Sequence, residues 1–204
     1  CQRQPGLAMK EHRDGVANLA RTGKKLLTIS TDHVFTGFKG REDPFLEGDE
    51  TSPANVYGKS KLLGEVEALD TNSGNVVVRT SWMYSSTGGM IPFLWKFLSE
   101  SGKVRAVGNQ VACLTYVLDL AEAIVDIINH DGSGLYHLIN RPGVTPAEVA
   151  RRLSEFAGGL VTEASWSEFD LDAPRPFYSE LATSRGVQLP TVWNAIERWR
   201  MSNV

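Results

Sequence analysis

Residues 25–31 read KLLTIST, and the reading of that run decides the fold. It is a short apolar stretch without alternation, ending in hydroxyl side chains, which is the pattern of a strand buried on both faces of a sheet. Three further apolar runs that suit buried strands follow: NVVVRT at 75–80, KVRAV at 103–107 and GLYHLI at 134–139. Helical patterns occupy 16–21, 56–69, 91–100 and 119–129. Strands alternating with helices predict an α/β fold whose doubly wound parallel sheet is covered on both faces.

The texture changes after residue 140. TPAEVARRLSEFAG, from Thr145, has Thr145 as N-cap, Pro146 at the first helical position and Glu148 three residues after the cap, which is a capping box. A short apolar piece near GLVTEA, a proline-rich DAPRPF and an aromatic helix TVWNAIERWR complete the chain. Residues 1–140 are therefore expected to form the main sheet. Residues 141–204 are expected to form a small α/β lobe that binds substrate, interleaved with loops of the first part.

Composition narrows the function. With 21 basic and 24 acidic residues, a net charge of -3 and no Lys/Arg run, the chain offers no track for a phosphate backbone, so nucleic acid is not an expected partner. No apolar stretch is long enough to span a bilayer and the first twenty residues do not resemble a signal peptide, so no membrane partner is expected and the expected location is the cytoplasm. Two cysteines, Cys1 and Cys113, make no disulfide framework, and the histidines show no metal-ligand spacing, so no metal site is expected.

Residues 31–54, rich in Gly, Pro and acids, form a loop longer than compact domains usually leave without structure. The loop begins at the carboxyl end of a strand, where open α/β sheets bind ligands, so Ser30, Thr31 and Asp32 stand where a site would be. Just beyond it, NVYGKSK at 55–61 admits two readings. A phosphate-binding G-x-x-x-x-G-K-[ST] loop fails, because Pro53 occupies the first glycine position and offers no backbone N–H. Tyr57 and Lys61, four apart on a helix, share one face. Carbonyl reduction uses such a pair, since an adjacent ammonium favours phenolate, and a change of about 3 pKa units corresponds to roughly 4 kcal/mol.

Taken together, LLTISTDHVFTG, ETSPANVYGKSKLLGE, VVVRTSWMYS and DAPRPFYSEL resemble the dTDP-4-dehydrorhamnose reductases, a family of extended short-chain dehydrogenase/reductases, in order from about residue 15 to residue 199. The resemblance implies a Rossmann-like sheet and an NAD(P)H-dependent oxidoreductase that reduces the 4-keto group of a nucleotide-linked deoxysugar in dTDP-rhamnose biosynthesis. It implies Tyr57 as the general acid, Lys61 on the nicotinamide ribose, Thr31 on the reacting oxygen and Ser30 beside the cofactor. Asp32, Trp82 and Arg175 would bind the sugar nucleotide. The hydride donor is NADPH or NADH; the oligomeric state stays open, a homodimer included.

Three departures stand out. His33 replaces the family's tyrosine, and Asn109 and Cys113 alter the loop resembled by GNQVACLTYVLDLA. The glycine-rich G-x-x-G-x-x-G turn that cradles the cofactor pyrophosphate does not occur before LLTIS, so the first strands of the sheet are expected to be missing. A longer enzyme is the favoured explanation and a naturally short protein the other. A sheet lacking those strands is expected to expose an apolar edge and to associate through it. An alternative resemblance, to the non-catalytic NAD(P)-binding regulatory subunit of methionine adenosyltransferase, predicts binding without sugar reduction.

Overall fold

A computed structural model describes residues 1–37, 42–169 and 172–204; residues 38–41, inside the 31–54 loop, lie outside the described residues. The chain opens with helix α1 (Pro5–Met9), a π-helical turn (Lys10–Asp14) and helix α2 (Gly15–Ala20). Strand β1 (Leu27–Thr31), a 3-10 turn (Asp32–Val34), helix α3 (Val56–Thr71), β2 (Val76–Thr80) and β3 (Met83–Tyr84) follow. Next come α4 (Met90–Ser101), β4 (Lys103–Val107), β5 (Val111–Tyr116), α5 (Val117–Asn129), β6 (Gly134–His137) and β7 (Asn140–Val144). The chain closes with α6 (Pro146–Ala157), β8 (Leu160–Ala164), β9 (Tyr178–Ser179) and α7 (Val192–Asn203).

The fold is α/β, with a three-stranded parallel sheet in the order β1-β2-β6. Every residue of β2 is buried, as a central parallel strand covered on both faces requires. Among the described residues β1 pairs on one side only. A second sheet is mixed: β5 pairs with β3 and β9 in parallel and with β7 antiparallel. The segment 111–116, read as a loop by resemblance, is thus the hub strand of that sheet.

β4 departs from expectation. It leaves the β1-β2-β6 sheet and pairs with β8 in a separate two-stranded parallel sheet. Its composition gives the reason: Lys103 and Arg105 point outward while Val104 and Ala106 are buried, so it suits a sheet with one wet face.

Helix ends follow their local chemistry. Asn55 caps α3 by accepting from the Gly58 amide at 2.8 Å, and the Thr145–Glu148 capping box forms on α6. Gly102 ends α4 in the left-handed region at φ 65°, which glycine adopts without a Cβ clash. Along α3, Ser60, Gly64 and Ala68 form a stripe of small buried residues. A Cβ on Gly64 would lie 2.2 Å from the His12 carbonyl oxygen, so the π-helical turn packs directly on α3.

The apolar core has three parts. The largest joins α4, α6 and α7 to β5 and β7 through Leu98, Leu114, Leu153, Ile196 and Trp199. A second, around Phe35, Phe45, Cys113 and Leu181, holds the described end of the 31–54 loop against the C-terminal segment. The third lies under β2 and β6 against α5. In the second part Cys113 is buried as a thiol, donating to the Leu181 carbonyl at 3.6 Å.

Candidate active site

The carboxyl ends of β1 and β2 meet the start of α3, and three cavities share the walls there. One of about 170 Å³ is lined by Ser30, Thr31, Asp32, His33, Tyr57 and the Thr80–Met83 segment. A second, of about 460 Å³, shares Tyr57 and His33 and adds Arg3, Asn55, Asp172 and Arg175. A third, of about 320 Å³, takes in Trp82, Met90, Val107, Gln110, Trp166 and Arg175. Tyr57, Trp82 and Arg175 are the shared walls, so the three spaces surround one junction.

Tyr57 sits in the first turn of α3 with two imidazoles edge-on to its ring, His12 at 5.5 Å and His33 at 5.7 Å between centroids. Its pKa is raised above the ordinary value, first because burial disfavours the phenolate. The Thr31 hydroxyl opposes that rise and the charge on Asp32 adds to it. The expectation that Lys61 depresses this pKa is not met in the ligand-free fold. Lys61 is itself partly desolvated, which lowers its own pKa, and the charge on Glu65, one turn along the same helix, acts against that lowering.

Glu65 belongs to a buried network behind the site. It accepts from Arg79 Nη2 at 2.7 Å and from Nε at 3.0 Å, and both side chains are 4% exposed. Ser30 donates its hydroxyl to the same carboxylate, and Arg79 lies 3.4 Å from His137 Nε2. The Ser30 side chain is therefore engaged with the core, although the residue lines the smallest cavity. A buried ion pair with its remaining hydrogen bonds satisfied is costly to break, about 3–5 kcal/mol when one partner is removed. It fixes α3 against β1 and β2, and with it the height of Tyr57 and Lys61.

Asp32 is 2% exposed and its carboxylate is occupied by protein donors: Ser179 Oγ at 2.6 Å and Thr31 Oγ1 at 3.2 Å. Ser179 lies in β9, so Asp32 ties the site to the C-terminal segment. Trp82 forms part of the cavity wall with a backbone φ of 20°, a positive value uncommon for an aromatic residue. Arg175 stacks over the Trp166 ring at 5.2 Å and has no carboxylate partner among the described residues. Thr31, Asp32, Tyr57 and Trp82 thus meet in one cavity, while Arg175 stands on the far side of its walls.

Two contributors carry no strong local signal in the sequence. Asn55 donates Nδ2 to the Pro174 carbonyl at 2.9 Å and to His33 Nδ1 at 3.0 Å, while its Oδ1 caps α3. With both amide donors used, His33 Nδ1 is an acceptor and the imidazole proton sits on Nε2. Its capping preference is readable from NVYG, but its bond to residue 174 is not. His12, whose Nδ1 is 2.8 Å from Ser60 Oγ, reaches the site only because the π-helical turn packs on α3. Burial and the charge on Lys61 hold its pKa below the ordinary histidine value.

Comparison with known proteins places this geometry. A model of the RmlD substrate binding domain matches residues 1–202. The chain is 36% identical over 172 residues to the dTDP-4-dehydrorhamnose reductase of Mycobacterium tuberculosis H37Rv, covering 80% of this chain and 57% of that one. It is 34% identical over 165 residues to the spore coat polysaccharide biosynthesis protein SpsK of Bacillus subtilis, covering 79% and 57%. The chain thus spans under two thirds of the length of these curated relatives. Among solved structures, a Bacillus anthracis dTDP-4-dehydrorhamnose reductase in complex with NADP superposes with a TM-score of 0.90 at 30% identity, covering 98% of this chain and 75% of that one. With a family model matched across nearly its whole length and relatives above 30% identity, the chain belongs to the dTDP-4-dehydrorhamnose reductase family.

Proposed function

We propose that the chain provides the proton-transfer and substrate-seating side of an NAD(P)H-dependent reductase acting on the 4-keto group of a dTDP-linked deoxysugar, the dTDP-rhamnose type of reaction. The observation that carries the reading is the placement of Tyr57, in the first turn of α3 at the junction of the cavities and lining the smallest of them together with Thr31. A general acid works best with a pKa near the working pH, so the burial that raises the Tyr57 pKa in the free fold opposes the role, and the ammonium of Lys61 is the group available to offset it.

The donor set fits a nicotinamide cofactor. Lys61 is partly buried next to Tyr57 on α3, and its ammonium has no hydrogen-bond partner among the described residues, leaving three donors for ribose hydroxyls. When bound, NADPH or NADH supplies the hydride. In this reading Thr31 hydrogen-bonds the C4 oxygen and aligns it with Tyr57. Tyr57 then donates its proton to that oxygen, and Lys61 stabilises the phenolate left behind. Trp82 offers an apolar face to the sugar, and Arg175, free of a carboxylate, offers a fork to the diphosphate. Asp32 acts through its bonds to Ser179 and Thr31, holding the lobe and the hydroxyl in place. We assign the cofactor side to residues 1–140 and the substrate lobe to 141–204, with β4 interleaved into the lobe.

Replacing Tyr57 by Phe tests the reading. Keto-sugar-dependent oxidation of NADPH should fall by about 10²- to 10⁴-fold, the usual contribution of a positioned acid, while sugar-nucleotide binding persists. Turnover within a few-fold of wild type would refute it.

A further inference from the structure

Helix α4 leaves one face uncovered. Phe93, Lys96, Phe97 and Glu100 are all exposed and recur at helical spacing, so they form a single stripe on α4, turned away from its core residues Ile91, Leu94 and Leu98. The two phenyl rings touch, 4.7 Å between centroids, and are still 56% and 41% exposed. Beside them runs a groove of about 410 Å³ whose walls include Phe93, Phe97, Lys103, Val104, Arg105 and Thr162, so the wet face of the β4–β8 sheet forms its other side. Leu160, directly opposite Lys103 in that sheet and therefore on the same face, is 66% exposed. A contiguous apolar patch rimmed by polar groups marks an interaction surface.

The charges on the stripe indicate what covers it. Lys96 and Glu100 stand four apart on one helix, yet they are not paired with each other and have no ion-pair partner among the described residues. Arg105 is already neutralised by Glu168. The stripe thus presents one cation and one anion a turn apart, which neither a uniformly acidic nor a uniformly basic partner complements. A second copy does, because under a twofold axis residue i meets j and j meets i, so Lys96 of each copy reaches Glu100 of the other. An antiparallel pair is the arrangement that brings together positions four apart, and it also opposes the two helix dipoles favourably.

We propose that this face joins two copies of the chain in an isologous dimer, with α4 packed antiparallel on α4 about an axis near Phe97. The Lys96–Glu100 pair forms twice, the Phe97 rings meet at the axis, and Phe93 of each copy enters the groove of the other. There Lys103, which has no carboxylate partner among the described residues, lies against the incoming ring. None of these residues lines the three cavities around Tyr57, so the dimer goes beyond the proposed reaction and does not depend on it. The 12 residues of α4 extend about 18 Å, which is short for an interface of the standard roughly 800 Å² per partner, so the dissociation constant is expected on the order of 1–100 µM.

Sedimentation equilibrium of wild type, Phe97→Ser, Lys96→Glu, Glu100→Lys and the double reversal tests the pairing. Lys96 and Glu100 are exposed, so the reversals leave the core untouched. Wild type should dimerise, and Phe97→Ser and each single reversal should weaken the dimer by about tenfold or more, since each reversal turns two attractions into two repulsions. The double reversal, which restores opposite charges across the axis, should recover to within about threefold of wild type. A wild type that stays monomeric up to about 0.5 mM overturns the proposal. Association that the variants leave unchanged also overturns it, and assigns the contact to another surface such as the one-sided edge of β1. Single reversals that weaken the dimer without recovery in the double reversal overturn the twofold pairing and leave the face to a different partner.

Discussion

Glutamine in place of Glu47 probes how the far end of the 31–54 loop is held on the body of the protein. The Glu47 carboxylate accepts from the His137 amide at 3.0 Å, Thr183 Oγ1 at 2.6 Å, and the amide and hydroxyl of Ser184, both at 2.9 Å. Burial alone would raise its pKa, but these donors outweigh burial and hold it at about 2 against an ordinary 4.5. At about 1.4 kcal/mol per pKa unit the gap corresponds to roughly 3 kcal/mol, and solvent screening of a partly exposed group reduces this to about 2 kcal/mol. Because the native pKa lies below the unfolded one, the stabilisation is complete above pH 4.5 and is lost as pH falls from there through 2. Urea unfolding of wild type and Glu47→Gln should differ by about 2 kcal/mol at pH 7, and by less than half of that at pH 3. A difference that stays constant between those pH values would show that Glu47 acts by shape and not by charge. A difference under about 0.5 kcal/mol at pH 7 would show that the four bonds contribute little net.

Two further expectations concern stability. Tyr84 is 1% exposed and its hydroxyl has no partner among the described residues, in a core position stacked on Tyr116. Tyr84→Phe should therefore leave stability unchanged or raise it by about 1 kcal/mol in urea unfolding, and a loss of that size would reveal an unseen partner. Asn55→Ala removes the α3 cap and both amide bonds, so a loss of about 1–2 kcal/mol is expected, whereas Asn55→Asp keeps the cap and loses only the donors. Equal losses for the two variants would assign the whole effect to the bonds with His33 and Pro174.

Much of the main sheet is legible because its signals are local. VVVRT has a continuous apolar run, and outside the sheet α6 has a full capping box. β4 is less legible because the apolar positions of KVRAV suit either sheet, and the exposed Lys103 and Arg105 fit only one with a wet face. β5 escapes because VACLTY, with its cysteine and threonine, is apolar only in part, and its pairing with β7 and β9 is a matter of distant chain segments. Tyr57 and Lys61 share a helix face and Thr31 ends a strand, so spacing and strand ends suffice to propose them as site residues, and Tyr57 and Thr31 line one cavity. His12, Glu65 and Arg79 acquire their surroundings only through packing, and no window of sequence contains their partners. The phenol's pKa shows the same limit: charge spacing along a helix suggests a lowering, and burial by the folded chain reverses it.

The pairing of β4 with β8 bears on how such proteins can be recombined. A chimera that exchanges residues 141–204 as a cassette would import β8 while leaving its partner β4 behind, and would also separate Ser179 from Asp32. One crossover near residue 140 would cut through this two-stranded sheet; a graft that keeps it intact must carry 103–107 along with the C-terminal segment.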